Sequence, residues 1–230
     1  MPYRLADLFY GELSSAKDRD LYLSNWPDSL ASKYMQARRR TGDLQALLGV
    51  IKAARIVPAP PRSSCVVHLR VGDVIERPGS FLSWLGIKGN SLDVRRYFTT
   101  GEPTALWKYV KHRGFYSSRV QELRRRNVTR IVLMAAAHNP IEICGTDARV
   151  NGCTMARSST YVDLVREYFV SEGFAVDYRL GHPSDEDVRY VTQATCFIAG
   201  GGGFGRLLAS IAHGMHQQLI CPCYKPRCFR

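Results

Sequence analysis

From residue 64 onward, short apolar runs alternate with stretches in which apolar residues recur at helical spacing. The short runs are rich in branched and aromatic residues, which is typical of buried strands. Glycine, proline and polar residues separate them from the helical stretches. Strands are predicted over residues 65–71, 130–136, 174–178, 196–199 and 219–221.

The stretches between the strands are predicted to be helical. Thr160 precedes Asp163 by three residues, a pattern that opens helices, and Gly173 follows as a residue at which a helix ends. Residues 74–100 are instead rich in glycine, serine and aromatic residues, so a long loop is predicted there. Loops of this length are often functional in compact domains. Helices are predicted over 105–127, 160–172, 185–193 and 204–213.

Alternating strands and helices form parallel sheets, because each helix returns the chain to the same edge of the sheet. The sequence therefore predicts an α/β fold, with a Rossmann-like, doubly wound, mostly parallel sheet in a domain of residues 62–230. The first 61 residues carry helical patterns at 29–40 and 44–54, and a proline-rich break follows at 58–61. We expect residues 1–61 to form a short helical N-terminal segment.

Composition and charge narrow the possible ligands. The chain has 230 residues, of which 45% are hydrophobic, and this supports a packed core. A formal net charge of +12 favours polyanions such as nucleotide diphosphates, nucleic acid or an anionic membrane face. The arginine runs at 38–40 and 124–126 fall at predicted helix ends, where cations complement the helix dipole. No nucleic acid partner is expected, because no aromatic platform is interleaved with the basic residues.

The sequence leaves the compartment open. No apolar stretch approaches the roughly 20 residues that cross a bilayer, so no membrane span is expected in this chain. The first residues lack the apolar region of a secretory signal. A processed eukaryotic protein would occupy the secretory lumen, and otherwise the cytoplasm is expected. The sequon Asn127-Val128-Thr129 would matter only in that lumen, and it receives little weight because it abuts a predicted strand.

The seven cysteines do not form a strong metal-binding pattern. Cys65 and Cys196 fall in predicted strands and are interpreted as small core residues. Two others flank a short loop and could form a disulfide in an oxidising compartment, and three crowd the C-terminus near two histidines. Their spacing is not typical of zinc sites, so no metal is expected. The loop pair is Cys144 and Cys153, and the C-terminal group is Cys221, Cys223 and Cys228 with His213 or His216.

The first candidate site is the run His68-x-Arg70-x-Gly72-Asp73 at the end of the first predicted strand. In open α/β sheets ligands bind at the carboxyl ends of the strands. His68 and Arg70 are two residues apart, so both project from one face of the strand. The fork-shaped guanidinium of Arg70 suits a phosphate or pyrophosphate.

The second candidate site is a strand that runs into four glycines, residues 200–203, and then into a helix. Glycines let backbone N–H groups approach a phosphate closely, and the helix N-terminus favours negative charge. Arg206 in the first turn would add a positive charge. The spacing matches neither a Walker A loop nor a dinucleotide-binding fingerprint. The alternative is a tight, closely packed turn without a ligand.

Both sites resemble motifs of the fucosyltransferase superfamily, which includes the protein O-fucosyltransferases, the α1,2- and α1,6-fucosyltransferases and the bacterial nodulation fucosyltransferases. Residues 68–73 resemble its H-x-R-x-G-D motif. The acidic helix at 185–188, the strand at 196–199 and Gly202-Gly203-Phe204-Gly205 resemble a later motif, in which hydroxyl residues are common where Gly203 and Gly205 stand. The resemblance covers roughly residues 64–221.

The resemblance implies the donor half of an inverting GT-B glycosyltransferase that needs no obligatory metal or other cofactor. Such an enzyme would transfer fucose from GDP-fucose, or from a similar nucleotide sugar, to a hydroxyl of a glycan or protein. Arg70 would stabilise the leaving diphosphate with the amides around Gly202. Glu76 is the carboxylate that would act as the base. The implied donor-binding residues are His68, Arg70, Gly72, Asp73, Asp187, Gly202, Gly203, Phe204, Gly205 and Arg206.

Several of these residues have structural alternatives. His68 either orients the phosphate or is a hydrogen-bonded core histidine. Asp73 is expected to bind the loop backbone. Asp187 either contacts the ribose or base, or simply lies in a helix, and Asp185 is expected to be a cap or first-turn charge.

The length of the chain leaves the activity open. A GT-B enzyme usually carries a second Rossmann-like domain for the acceptor, whereas about 60 residues precede the first motif here. The N-terminal segment is then a reduced acceptor-side region, or the chain is a truncated or inactive member. The alternatives are a nucleotide-binding domain without transferase activity and a basic nucleic-acid-binding α/β protein.

Overall fold

The computed structural model describes residues 57–76, 92–104, 106, 109–135, 155–214 and 218–221. The helical patterns of the N-terminal segment lie outside the described residues. So do Cys144, Cys153, Cys223 and Cys228, and the possible disulfide and zinc groups with them. Within the described residues no three His, Cys, Asp or Glu side chains are grouped so that they could hold a metal ion.

Five parallel strands form one sheet in the order β3-β2-β1-β4-β5. The strands are β1 (Ser64–His68), β2 (Arg130–Ala135), β3 (Ala175–Leu180), β4 (Cys196–Ile198) and β5 (Gln218–Cys221). The chain adds strands to one side of β1 and then crosses to the other side with β4. The order thus reverses between β1 and β4, which makes this pair the topological switch point of the sheet.

Helices cover both faces of the sheet. They are α1 (Asp73–Glu76), α2 (Val94–Thr100), α3 (Arg113–Arg125), α4 (Ala156–Ser171), α5 (Ser184–Val191) and α6 (Gly202–Gly214). Helices α1 to α4 share one apolar core with alternate residues of the strands, including Cys65 and Val67. Helices α5 and α6 share the second core with the intervening residues, including Val66 and Phe197. This arrangement confirms the predicted α/β fold with a parallel, doubly wound sheet.

The buried hydroxyl groups of three tyrosines make hydrogen bonds within the first core. The hydroxyls of Tyr116 and Tyr161 lie 2.8 Å apart, and that of Tyr161 donates to the carbonyl of Lys111 at 2.8 Å. Tyr97 donates to the carbonyl of Val110 at 2.6 Å. Burial raises the pKa of each of these tyrosines, so all three stay protonated and keep these bonds.

Several predicted boundaries are wrong. Strand β1 ends at His68 instead of residue 71, and β3 continues to Leu180. Helix α3 begins at Arg113 instead of residue 105. The predicted loop at 74–100 contains α1 at its start and α2 at its end.

Helix α4 begins four residues earlier than predicted, at Ala156. Thr160 therefore lies inside the helix, where its Oγ1 donates to the carbonyl of Ala156 at 2.8 Å. The local pattern of Thr160 and Asp163 is misleading because a carboxylate from another part of the chain caps α4, as described below.

Cys65 and Cys196 are core residues as predicted, but the sequence analysis missed that they form a disulfide between β1 and β4. Their Cα atoms are 4.5 Å apart, next to the paired residues Val66 and Phe197. Both cysteines are buried. The two are 131 residues apart in sequence, so only the reversal of strand order makes them neighbours.

The arginine run at the end of α3 is paired with carboxylates of the fold. Arg124 contacts Glu172 at 3.1 Å, and Arg125 and Arg126 each contact Glu122 at 2.5 Å. These contacts fit the interpretation of the run as a helix end. None of the described helices is long and apolar enough to cross a bilayer.

Candidate functional site

The two candidate motifs meet at the switch point of the sheet. The turn after β4 passes so close to β1 that a Cβ at Gly200 would lie 2.0 Å from the carbonyl oxygen of His68. Since that oxygen belongs to the backbone and cannot move aside, only glycine fits at this position. The carboxyl ends of β1 and β4 are therefore in direct contact, at the edge where ligands bind in folds of this class.

Arg70 extends from the end of β1 over the first residue of α6. A Cβ at Gly202 would lie 3.1 Å from Cδ and 3.4 Å from Nε of Arg70. Gly202 has a φ of 71°, which glycine adopts without strain. The guanidinium-bearing side chain thus lies against the N-terminus of a 13-residue helix, where backbone N–H groups already favour an anion.

The side chain of His68, like that of Arg70, packs against α6. Its Nδ1 would be 3.0 Å from a Cβ at Gly205, and the Phe204 ring meets it edge-on with centroids 5.7 Å apart. The contacts of both residues with α6 confirm that they project from one face. Only 3% of His68 is exposed, and burial together with the charge of Arg70 lowers its pKa to about 3. The imidazole is therefore neutral at physiological pH.

The Nδ1 atom of His68 is buried and lacks a hydrogen-bond partner among the described residues. Both ring nitrogens of a core histidine normally make hydrogen bonds. The described residues provide no partner for Nδ1, so they do not support the alternative that His68 is a hydrogen-bonded core residue. An unsatisfied ring nitrogen next to a helix N-terminus is compatible with a group that orients a ligand or the glycine turn.

The loop after β1 turns away from this helix toward α4. The backbone N–H of Gly72 donates to Oγ of Ser158 at 3.0 Å, so it is engaged within the fold. The backbone of Asp73 starts α1, and its side chain lies outside what the structure describes. The side chain of Arg206, in the second turn of α6, and that of Asp185 lie outside it as well.

Glu76 is not the free carboxylate that the sequence predicts. It is 7% exposed, and its Oε1 accepts a hydrogen bond of 2.6 Å from the backbone N–H of Ser158. Arg157 also donates to the carbonyl oxygen of Glu76 at 3.0 Å. Glu76 therefore caps the N-terminus of α4, where the helix dipole favours a negative charge. The sequence does not reveal this role, because 82 residues separate the two partners.

Asp187 lies in α5 and pairs with an arginine that the sequence analysis missed. Nε of Arg179 donates to Oδ1 of Asp187 at 2.9 Å, and the guanidinium lies 4.3 Å from the centroid of the Tyr190 ring. Asp187 is 1% exposed, and burial raises its pKa to about 7 although Arg179 opposes the shift.

The Arg179 side chain lines an open cavity of about 630 Å³ on β3, away from the switch point. The hydrogen bond of Asp187 goes to Arg179 on β3. The structure thus brings together His68, Arg70, Gly202, Phe204 and Gly205, and it leaves Gly72, Glu76 and Asp187 in other contacts. The cavity is lined by Val132, Val176, Asp177, Tyr178, Arg179, His182 and Tyr190.

The switch point carries positive charge, which a side chain and a helix dipole supply. Arg70 is always charged, His68 is neutral, and the N-terminus of α6 adds partial positive charge. Such an arrangement can hold a phosphate group and stabilise negative charge that develops on it. No protein-family model, no curated protein and no solved structure matches this chain, so its functional assignment rests on this geometry and on the two motifs.

Proposed function

We propose that this chain is the donor-binding domain of an inverting, metal-independent glycosyltransferase, which transfers fucose from GDP-fucose to a hydroxyl of a glycan or protein. The observation that carries the proposal is the position of Arg70 over Gly202 at the switch point of the sheet. The guanidinium of Arg70 and the N-terminus of α6 lie side by side. Together they provide the positive charge and the N–H donors that bind a diphosphate.

The chemistry assigned to each group follows from its charge. The bond between the sugar and the diphosphate breaks as negative charge accumulates on the leaving phosphate. Arg70 and the amides at the start of α6 stabilise that charge more in the transition state than in the ground state. His68 contributes no charge, because its pKa is about 3, and it orients the phosphate or the glycine turn instead.

The choice of GDP-fucose as donor rests on the resemblance of residues 68–73 and 202–205 to fucosyltransferase motifs. In the second motif glycines replace hydroxyl residues, so the backbone amides carry the phosphate contacts. The assignment to the GT-B class rests on the same resemblance together with the parallel sheet.

A second candidate function is a nucleotide-binding domain without transferase activity. It is favoured by the hydrogen bond between Glu76 and Ser158, because the carboxylate that would act as the base is committed to α4. In this case Arg70 and α6 bind the diphosphate as proposed, but no sugar is transferred.

The first test is thermal stabilisation of the wild type by GDP, GDP-fucose, UDP and ADP. A ligand at about 100 times its Kd should raise the free energy of unfolding by about 2.7 kcal/mol. We expect GDP compounds to act and the effect to be lost in Arg70→Ala. Arg125→Ala is the matched control, since it removes a 74% exposed arginine from α3 without touching the site. Stabilisation by no nucleotide, or equal stabilisation of Arg70→Ala, would contradict the proposal.

A second measurement separates the two candidates. Release of GDP from GDP-fucose is followed with and without a panel of glycan and peptide acceptors. Acceptor-dependent release supports the transferase, whereas binding of GDP-fucose without release supports the binding domain. Salt-dependent binding to random oligonucleotides, with no response to nucleotides, would instead favour a nucleic-acid-binding protein.

A further inference from the structure

We propose that Asn127 is an N-glycosylation site and that this chain folds in an oxidising, secretory compartment. The inference goes beyond the proposed function and does not depend on it, because none of its supporting residues contributes a group to the proposed phosphate site. Two independent features carry it: the geometry of the turn between α3 and β2, and the disulfide between the two central strands.

The sequon occupies the short turn that joins α3 to β2. Asn127 and Thr129 are exposed on either side of Val128, which is 8% exposed and packs into the core. The two residues that the glycosylating enzyme must recognise therefore face solvent, and the residue between them does not. The sequon directly precedes β2, which begins at Arg130 as predicted, and yet Asn127 and Thr129 are exposed.

The backbone of this turn is satisfied without either polar side chain. The N–H of Asn127 donates to the carbonyl of Arg124, and the N–H of Val128 donates to that of Leu123, both at 3.0 Å. Thr129 donates to the carbonyl of Ser63 and accepts from the N–H of Ala175, also at 3.0 Å. Its hydroxyl is exposed and makes no hydrogen bond to a described residue, so the fold leaves it accessible to a glycosylating enzyme.

The backbone conformation of Asn127 also favours asparagine at this position, and the test must separate this structural role from glycosylation. Its φ is 54°, in the left-handed region that glycine and asparagine tolerate best at helix ends. A change of Asn127 to glycine keeps this conformation, whereas a change of Thr129 keeps the asparagine itself. The two variants abolish the sequon by independent routes.

The disulfide is the independent indication of compartment. Disulfides persist in secreted and luminal proteins and are rare in reducing compartments. Cys65 and Cys196 are buried at the centre of the sheet, in the adjacent strands β1 and β4. A chain with this bond and with an exposed sequon has both the folding environment and the acceptor that N-glycosylation requires.

The reaction is an ordinary transfer to an amide. Nδ2 of Asn127 forms a bond to the anomeric carbon of an oligosaccharide carried on a lipid pyrophosphate. The bond from that carbon to the pyrophosphate oxygen breaks, the lipid pyrophosphate leaves with the electron pair, and one amide proton is lost to a base of the transferring enzyme. The lipid-linked oligosaccharide is the only co-reactant.

The glycan would stand at the opposite edge of the sheet from the candidate site. Asn127 precedes the first residue of β2, whereas Arg70 and Gly202 lie at the carboxyl ends of the strands. Strand β2 has six residues, which corresponds to roughly 20 Å. A glycan at Asn127 therefore leaves the switch point open.

The test uses the full 230-residue chain, directed into the endoplasmic reticulum of cultured eukaryotic cells by a cleavable leader. Intact mass is measured before and after treatment with peptide-N-glycosidase. The variants are Thr129→Ala and Asn127→Gly, which remove the sequon, and Thr129→Ser, which retains it. Melting temperatures and a non-reduced peptide map for the pair Cys65–Cys196 are measured on the same samples.

We expect one glycan on the wild type and on Thr129→Ser, none on Thr129→Ala or Asn127→Gly, and the Cys65–Cys196 bond in all four. Equal melting temperatures of the deglycosylated proteins would show that the variants fold alike. A wild type that reaches the lumen without a glycan overturns the proposal, and so does a glycosylated wild type whose Cys65 and Cys196 remain thiols. Since neither measurement involves a nucleotide, these outcomes are independent of the test of the proposed function.

Discussion

The side chain of Arg70 lies over Gly202, so that a Cβ at this glycine would stand 3.1 Å from Arg70 Cδ. The two residues follow different strands, β1 and β4, which become neighbours only because the strand order reverses between them. The contact joins the cationic end of one motif to the helix N-terminus of the other. The phosphate site proposed at the switch point depends on this contact between the two residues.

Gly202→Ala tests the contact between Arg70 and the start of α6 directly. The new methyl group would crowd the Arg70 side chain, and the positive φ of 71° would strain the backbone by about 1–2 kcal/mol. We expect a lower melting temperature together with loss of the stabilisation by GDP.

Gly173→Ala is the matched control for this variant. Gly173 also has a positive φ, of 89°, but a Cβ there would meet no atom within 4 Å. It should lower the melting temperature by a similar amount and leave the GDP response intact. If both variants kept the GDP response, Arg70 and α6 would not form the phosphate site.

Substitutions of Glu76 distinguish a helix cap from a catalytic base. Glu76→Gln keeps an oxygen that can accept from the N–H of Ser158, whereas Glu76→Ala leaves that buried N–H unsatisfied. We expect Glu76→Ala to lose roughly 1–3 kcal/mol of stability in urea unfolding and Glu76→Gln to lose less. Sugar transfer, where it is detected, should survive in Glu76→Gln. If Glu76→Gln abolished transfer and left the stability unchanged, Glu76 would be the catalytic base.

Asp187 should make the fold less stable as the pH rises. Burial raises the pKa of Asp187 from its ordinary 3.8 to about 7, so the folded state holds this proton to higher pH than the unfolded state does. The resulting stabilisation is complete below about pH 4 and is lost as the pH rises through about 7, at about 1.4 kcal/mol per unit of pKa difference.

Asp187→Asn is the variant that isolates this effect, because it keeps an oxygen for Nε of Arg179. Urea unfolding is measured from pH 4 to pH 8, and the difference between the variant and the wild type is followed. Subtraction removes the opposite contribution of His68, whose lowered pKa makes the fold lose stability as the pH falls. We expect the variant to gain stability relative to the wild type as the pH rises, and a flat difference would contradict this.

Removal of the Cys65–Cys196 bond should destabilise the fold strongly. The bond closes a loop of 131 residues, for which the chain-entropy model gives about 5 kcal/mol. We expect the double variant Cys65→Ala, Cys196→Ala to unfold at a lower urea concentration than the wild type without reductant. Added reductant should then shift the wild type much more than the double variant. If reductant shifted the unfolding of both proteins equally, the loss of stability would come from other cysteines and not from the Cys65–Cys196 bond.

The sequence predicts the features that depend on neighbouring residues. Alternation of strands and helices predicts the parallel α/β fold, and the two-residue spacing of His68 and Arg70 predicts their common face. The four glycines correctly predict a close turn into a helix. These inferences succeed because periodicity and glycine content are local properties of the chain.

The features that were missed depend on contacts between distant segments. The start of α4 is set by Glu76, which caps it from 82 residues away, and not by the local pattern at Thr160. The partner of Asp187 is Arg179 on another element, and the partner of Cys65 is on the strand across the switch point. No local pattern reveals which segments the fold will place side by side.

The late position of β4 in the chain has a consequence for biosynthesis. While the nascent polypeptide emerges, β1 can pair with β2 early, but its other edge waits for a strand that is translated about 130 residues later. Until then the thiol of Cys65 has no partner from β4, and Arg70 has no helix to lie against. The proposed phosphate site is therefore among the last parts to assemble, so a chain stalled before Cys196 would hold three of the five strands without the contact between Arg70 and α6.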